Sequence, residues 1–255
     1  MAVIKPARMQ FKRKLKSARS KFFRRIGVLR GDRKNGLADE YAFWENALKD
    51  QGRNWSAEEF RARTDPNLEL QSPLKELIDA PVGAVVRILD VGAGPLTRLG
   101  KRWEGRQLEI IPVDPLADQY DAVLKQLEIA PPVRTRLGHG ERLLEDFREN
   151  SFDLAYASNS LDHSCDPIAA IGQMLAVVKA QCVVYLWHFS NVGVEADYQG
   201  LHQWNFDVQQ GDLTLSDGHQ KHFLSKMFAG RTLLQCEVTH AYDARVVVAK
   251  LRKLP

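Results

Sequence analysis

The sequence predicts a doubly wound α/β protein: a mostly parallel sheet, an antiparallel pair of strands at the C-terminal end, and a helical N-terminal extension. Three observations carry this. Apolar runs of strand length alternate with helical stretches from residue 85 to 187. The first run, Val85 to Val91, ends in a Gly92-Ala93-Gly94 turn, where the backbone can bend sharply and a ligand can come close. The last two stretches, Leu233 to Tyr242 and Arg245 to Leu251, alternate like paired strands joined by a tight turn at Asp243-Ala244.

The chain has 255 residues, enough for one large domain, or for a domain with an appendage. No apolar run approaches the roughly 18 residues of a membrane-spanning helix. Cys165, Cys182 and Cys236 are far apart and odd in number, which reads as reduced thiols and a cytoplasmic setting. The net charge of +4 is unevenly spread. Residues 1–34 hold 13 Lys or Arg against the single acid Asp32, whereas the remainder holds 23 against 31 acids. The basic character belongs to a tail, on a mildly acidic body.

In that tail, Phe11, Leu15, Ala18, Phe22, Ile26 and Leu29 recur at gaps of three and four, the spacing of one helix face. A basic amphipathic helix can lie on an anionic membrane at the inner face, grip nucleic acid, or pack on its own domain. No apolar h-region follows the charges, so it is not a secretory signal. Gly31 to Gly36 reads as a linker, and 35–80 as a helical lead-in. There Glu40 to Leu48 has helical spacing, Ser56-Ala-Glu-Glu59 is a capping-box start, and Leu74 to Ile78 suggests a short helix. Tyr41, Phe43, Trp44 and Trp55 read as core or lid packing.

The main domain is expected over 81–255. After Val85–Val91, a second strand spans Gln107 to Val113 and ends at Asp114-Pro115. Asp114 lies 20 residues after Gly94, the spacing at which a dinucleotide-binding unit sets an acid on ribose hydroxyls. A helix over Asp118 to Leu127, a short strand over Val133 to Leu137, a turn at Gly138 to Glu141 and a helix to Phe147 follow. The fourth strand is Ser151 to Ala157, with Ser158-Asn159-Ser-Leu-Asp162-His163 at its exit. A helix over Pro167 to Lys179 leads to a fifth strand, Cys182 to Trp187. Residues 190–222 are irregular and polar, which suggests a lid or binding loop, or a small hairpin.

Together these residues resemble a class I S-adenosylmethionine-dependent methyltransferase. Ile88-Leu-Asp-Val-Gly-Ala-Gly94 resembles the glycine-rich first motif, Asp114 the ribose-binding acid, Phe152-Asp-Leu-Ala-Tyr156 the fourth-strand motif, and the last strand pair the closing hairpin. The resemblance spans about 85–251 and implies a Rossmann-like seven-stranded sheet, S-adenosyl-L-methionine as cofactor, and a cofactor site of Asp90, Gly92, Ala93, Gly94, Thr97, Asp114, Pro115, His139, Gly140, Glu141 and Asn159. More narrowly, Asn159 to Pro167 and Tyr198 to Asn205 look like a bacterial subgroup associated with surface-polysaccharide synthesis. Two departures stand out. Pro95-Leu96-Thr97 follows where a third Gly is usual, leaving Thr97 to offer a hydroxyl to the cofactor. His139 falls where an acid or Asn usually meets the adenine. A dehydrogenase would want a fuller Gly-x-Gly-x-x-Gly and a second domain.

Methyl transfer from a sulfonium needs alignment, plus a base when the acceptor is a hydroxyl. His163 is the first candidate base, with Asp162 to orient it, and His188 and His202 next. Gln203, Trp204 and Asn205 could form an acceptor platform, Trp stacking on sugar faces while amides bridge hydroxyls. His219 and His222 lack partner ligands, so no metal site is expected. The expected function is O-methylation of a sugar or another small hydroxylated acceptor, with the tail near anionic membrane. An RNA-directed methyltransferase and a non-catalytic binding protein of the same fold are the alternatives. The oligomeric state is not legible.

Overall fold

The computed structural model describes residues 33–54 and 56–255. Residues 1–32, which hold all but the last two residues of the basic tail and the first residues of the expected linker, and Trp55 lie outside them. Helix α1 (Arg33–Lys49) already begins at Arg33, so residues 33–36 are helix rather than linker. Gly36 lets α1 approach the later insertion, because a Cβ there would meet the Leu201 side chain at 2.7 Å. Helix α2 (Ala57–Thr64) starts as the capping pattern predicts: Ser56 Oγ accepts from the Glu59 amide at 3.1 Å. Helix α3 (Ser72–Lys75) is shorter and earlier than the Leu74 to Ile78 pattern suggests, since Pro73 sits in its first turn.

The main sheet has the strand order β3-β2-β1-β4-β5-β10-β9. Its parallel part is β1 (Val85–Val91), β2 (Gln107–Asp114), β3 (Arg136–Leu137), β4 (Phe152–Ser158) and β5 (Val178–Phe189). β10 (Ala244–Lys253) inserts antiparallel between β5 and β9 (Thr232–Ala241). Tyr242 and Asp243 both take positive φ, 52° and 58°, the two-residue turn that suits the twist of a hairpin. Helices α4 (Ala117–Gln126), α5 (Leu143–Asp146) and α6 (Pro167–Val177) fill the crossovers.

Two strands differ from their sequence patterns. β3 keeps only Arg136–Leu137 of the five expected residues, both exposed at the sheet edge. β5 begins at Val178, four residues early, so helix α6 stops at Val177 instead of Lys179. The pairing with β4 jumps from Phe152↔Val178 to Leu154↔Val183, and Gln181 takes φ 63° in the irregular stretch. Apolar Val177 and Val178, both fully buried, serve a helix end and a strand start equally well, so periodicity does not separate them.

Alternate residues of each central strand feed two cores. Leu89, Val91, Ala155 and Ala157 join Ile171 and Met174 of α6 on one face. Val86, Ile88, Leu154 and Tyr156 join Leu70, Leu74 and Leu99 on the other. Burying each large aliphatic side chain is worth about 1.5–3 kcal/mol. The insertion after β5 carries helix α7 (Val192–Glu195) and a separate antiparallel sheet of β6 (Asn205–Gln209), β7 (Asp212–Ser216) and β8 (Lys221–Phe223), followed by α8 (Leu224–Met227). Phe206, Leu213 and Leu215 enter the α6-side core, so this segment is packed and not a free loop.

The chain order reverses between β1 and β4, the place where open α/β sheets bind ligands at their strands' carboxyl ends. The approach to this place is anchored by Gly100, where a Cβ would lie 2.0 Å from the Glu69 carbonyl oxygen. The neighbouring backbone cannot yield as a flexible side chain would. Gly100→Ala is therefore expected to destabilise the fold by about 3 kcal/mol, measured by urea unfolding against the parent.

Candidate active site

The turn after β1 is built from hydrogen and little else. Gly92 and Gly94 take φ of 70° and 64°, which side chains resist. A Cβ on Gly92 would lie 2.4 Å from that of Ser160, and one on Gly94 would lie 2.8 Å from the Trp44 ring. The turn thus touches β4's exit on one side and α1 on the other. Gly92 and Ala93 donate their amides to Val113 O at 2.9 and 3.2 Å, and Ser160 Oγ donates to Val91 O at 2.9 Å. Thr135 Oγ1 donates to Gly94 O at 2.8 Å.

The residue replacing the third glycine works from beneath. Thr97, 1% exposed, donates its hydroxyl to Asp90 Oδ2 at 2.6 Å and accepts from the Leu99 amide at 3.1 Å. Contrary to the sequence expectation, that hydroxyl is used inside the turn, not offered to a cofactor, and Asp90 faces inward with it. Burial pushes Asp90 up to about 6, against the Thr97 hydrogen bond. The buried Arg63 ties α2 to the turn, donating to Leu96 O at 2.5 Å and pairing with Glu59 at 3.3 Å. Arg98 completes the tie. It binds Glu59 at 2.8 Å, Ser158 Oγ at 3.0 Å and Tyr242 OH at 3.2 Å, and lies 5.0 Å over the Trp187 ring. The sequence marks Glu59 only as part of a helix cap and does not mark Arg63, Arg98 or Tyr242 as linked, because most of these contacts join residues far apart along the chain.

Asp114 ends β2 beside the turn. Its Oδ2 accepts from the Gly94 amide at 3.0 Å and its Oδ1 from the Leu116 amide at 2.9 Å. Burial pushes it up to about 7 despite both bonds. Tyr120 on α4, 1% exposed, has a hydroxyl with no hydrogen-bond partner. The Tyr120 hydroxyl feels the charges of Asp114 and Glu40, and Trp44 packs in the same cluster as Tyr120. An orphaned hydroxyl, two carboxylates, an indole and a side-chain-free turn form a donor set suited to a ribose diol and its base. The residues therefore fit a nucleoside cofactor at this place.

A second group lies next to it. Asp162, 2% exposed, follows β4. His202 Nδ1 is 2.7 Å from Asp162 Oδ2, His163 Nε2 is 3.3 Å from the same oxygen, and the two imidazole nitrogens are 3.1 Å apart. His188, from the end of β5, turns Nδ1 towards Asp162 Oδ1 at 3.8 Å and stacks on Phe206 at 4.2 Å. Three of the four sequence candidates thus converge on the fourth. Burial would raise Asp162, but the His163 charge and the histidine hydrogen bonds hold it well below the usual carboxylate range. Burial would lower His163, but Asp162 and Glu40 lift it to about 9. The two neighbouring carboxylates thus favour the charged imidazole, and both ring nitrogens of this candidate base face partners within the group. Burial lowers His188.

Glu40 joins the two halves. Its Oε2 is 3.5 Å from His163 Nδ1, and its Oε1 accepts from Trp44 Nε1 at 2.8 Å. The sequence pattern showed Glu40 only as the start of a helix.

The remaining candidates sit elsewhere. His139 is exposed at the start of a short turn. Gly140 closes on Val91, where a Cβ would meet Cγ1 at 3.0 Å. Glu141 Oε1 accepts from the Cys165 amide at 2.9 Å. Asn159 takes φ 50°, and its Oδ1 accepts from the Phe189 amide at 3.3 Å. Pro115 simply continues the Asp114 turn. Gln203 donates to Gly200 O at 3.2 Å, and Trp204 packs against the α6-side core, which makes them anchors of the insertion. Asn205 is buried with Oδ1 unpartnered. His219 is exposed and His222 sits 6.1 Å from Trp204; neither joins the Asp162 group.

Residues 89–186 match the family model described as a methyltransferase domain. No curated protein matches the chain by sequence. Among solved structures, it is similar to the 1,6-didemethyltoxoflavin-N1-methyltransferase of Burkholderia thailandensis, with 14% identity over 89% of this chain and 93% of that one, and a TM-score of 0.47. It is also similar to a possible histamine N-methyltransferase of Thermotoga maritima, with 15% identity, 84% and 100% coverage and a TM-score of 0.44. The YcgJ protein of Bacillus subtilis is similar at 15% identity, 72% and 97% coverage, and a TM-score of 0.42.

The raised Asp114 has a measurable consequence. Its folded pKa of about 7 lies above the unfolded value near 4. Its stabilising contribution is therefore complete below pH 4 and is lost as pH rises through 7, at up to about 1.4 kcal/mol per pH unit. Asp114→Asn is expected to flatten the fall in stability between pH 4 and 7, read from urea unfolding at several pH values. An unchanged slope would place the titration elsewhere.

Proposed function

We propose that this chain, whose residues 89–186 match a methyltransferase domain on a seven-stranded α/β sheet, is a class I S-adenosylmethionine-dependent methyltransferase and that it methylates a hydroxyl of a sugar or another small hydroxylated acceptor. The observation that supports this acceptor class is the joint of Glu40, His163 and Asp162 beside the glycine turn. S-adenosylmethionine supplies a methyl group already activated by a positive sulfur. The protein's work is then alignment, and removal of the hydroxyl proton.

The residues divide that work. Gly92, Gly94 and Asp114 line the nucleoside side, with Trp44 and Tyr120 as its wall. His163, its ring fixed between Glu40 on one side and Asp162 and His202 on the other, supplies the positive field that the acceptor oxygen meets. Glu40 has lone pairs left after its bonds to Trp44 and His163, so it receives the proton. A carboxylate beside a fixed cation suits a hydroxyl, whose proton must leave as the oxygen–carbon bond forms.

The basic tail, residues 1–34, belongs to the same proposal: it holds the enzyme at the anionic inner membrane face, where lipid-linked glycans would be within reach. Liposome co-sedimentation of the full chain with anionic vesicles is expected to exceed that of a chain starting at residue 35. Equal binding would remove the membrane role.

For the chemistry, tritiated methyl transfer to nucleotide sugars and lipid-linked oligosaccharides is the assay. Glu40→Gln preserves size and the Trp44 contact, and is expected to lower kcat by about 10²-fold or more, with S-adenosylhomocysteine affinity kept within a few-fold. A kcat within threefold of the parent would take Glu40 out of proton transfer.

A further inference from the structure

The Asp162 group has a geometry that hydrogen bonds cannot satisfy. Asp162 Oδ2, His202 Nδ1 and His163 Nε2 form a triangle with edges of 2.7, 3.1 and 3.3 Å. Along a hydrogen bond one end donates and the other accepts. Three mutually facing atoms cannot alternate these roles. If both imidazole nitrogens carry protons for the carboxylate, two N–H groups face each other. If one is deprotonated, a lone pair faces either the carboxylate or another lone pair. With Asp162 ionised, every proton assignment leaves one edge repulsive.

A single cation resolves all three edges, since each atom then turns a lone pair towards it. Tetrahedral coordination with bonds of about 2.0–2.1 Å places donor atoms about 3.3 Å apart, which two of the edges, 3.1 and 3.3 Å, approach, while the 2.7 Å edge would open on binding. A second, independent observation points the same way. His188, 1% exposed, has no hydrogen-bond partner on either nitrogen, and its Nδ1 points at Asp162 Oδ1 from 3.8 Å. That imidazole, stacked on Phe206, lies against the carboxylate's other oxygen and outside the three-residue donor group, so it backs the site while the fourth position is left to solvent or substrate. The carboxylate 3.5 Å from His163 Nδ1 is Glu40, the kind of outer partner that leaves the opposite ring nitrogen free for a metal. Asp162, His163 and His202 are the group able to hold a metal among the described residues.

We propose that Asp162, His163 and His202 bind one divalent first-row transition ion of the Zn²⁺ type. Two imidazoles with one carboxylate suit such an ion, and disfavour Mg²⁺ or Ca²⁺. The ion takes the place of the proton on His163 Nε2. This deepens the reading of the same site as one that holds an acceptor hydroxyl, because the ion would supply the fixed positive charge there. Glu40, outside the ligand set, keeps its lone pairs.

The test uses the full chain, stripped with EDTA and titrated with Co²⁺. One equivalent is expected to bind, with the strong visible absorption of a four- or five-coordinate ion, and one equivalent of Zn²⁺ should displace it. His202→Ala should weaken Co²⁺ binding at least tenfold. Because His202 is buried and its loss could disturb folding, His163→Ala, at the more exposed edge, is measured alongside and should weaken binding equally. His219→Ala should bind as the parent does. Weak absorption of an octahedral type, or binding that the His163 and His202 variants retain, would overturn the site. Calorimetry with S-adenosylhomocysteine on the same samples separates the two readings. Cofactor binding without a Co²⁺ site removes the metal alone, and a Co²⁺ site without cofactor binding sinks methyl transfer and leaves the metal standing.

Discussion

The buried carboxylate of Asp162 is the constraint around which this end of the sheet is arranged. A charge 2% exposed must be paired, or its desolvation would cost several kcal/mol. Its partners come from three places: His163 from the exit of β4, His188 from the end of β5, and His202 from the insertion. The insertion is pinned by this need as much as by its own core. His202 reaches Asp162 only if residues 192–223 fold back over the α6 face, and Phe206, Leu213 and Leu215 supply the apolar contact that holds them there. The polar requirement fixes where the segment goes, and the apolar residues make that position stable.

The glycine turn depends on a different set of charges. Pro95 and Leu96 stand where a third glycine would leave the backbone free, and the stiffness has to be matched from outside. Arg63 supplies it. Its guanidinium is fully buried and pushed down to about 10 by burial, with Glu59 and Asp90 opposing that shift. The same Glu59 also receives Arg98 and Tyr242. One carboxylate on α2 therefore joins the lead-in helix, the turn, β4's exit and the terminal hairpin. Thr97 satisfies Asp90 below the turn. The local sequence departs from the usual motif, and the surrounding network carries the conformational restriction that glycine freedom would otherwise leave open.

Much of the sheet was legible because its strands carry unambiguous periodicity: Val85–Val91 and the hairpin strands are found where their patterns place them. The Ser56 cap was legible for a similar reason, since its partner is three residues away. What escaped is long-range. Glu40 and His163 are 123 positions apart, and neither position's neighbours announce the pairing. Thr97 was misread because a hydroxyl after a glycine turn points outward or inward according to Asp90, which the motif alone does not decide. Trp204 looked like an acceptor platform in a polar stretch; the fold makes that stretch a sheet with a buried side, and the indole serves it. The His163 protonation state required Asp162 and Glu40 to be seen together, and spacing cannot supply a field.

Glu40 also decides how the N-terminal helix should be understood. Trp44 lies on Gly94, where only hydrogen leaves room for it, and Glu40 holds Trp44 through one oxygen while facing His163 with the other. Helix α1 packs on α4 through Trp44, Ala47, Leu116 and Tyr120. A displacement of α1 would therefore uncover the glycine turn, release the Tyr120 wall and withdraw the carboxylate from His163 in a single movement. Access to the nucleoside side and the orientation of the acceptor side are coupled through one turn of helix. The lead-in is thus tied to both the glycine turn and the Asp162 group, and a chain cut at the first strand would lose the residue that connects them.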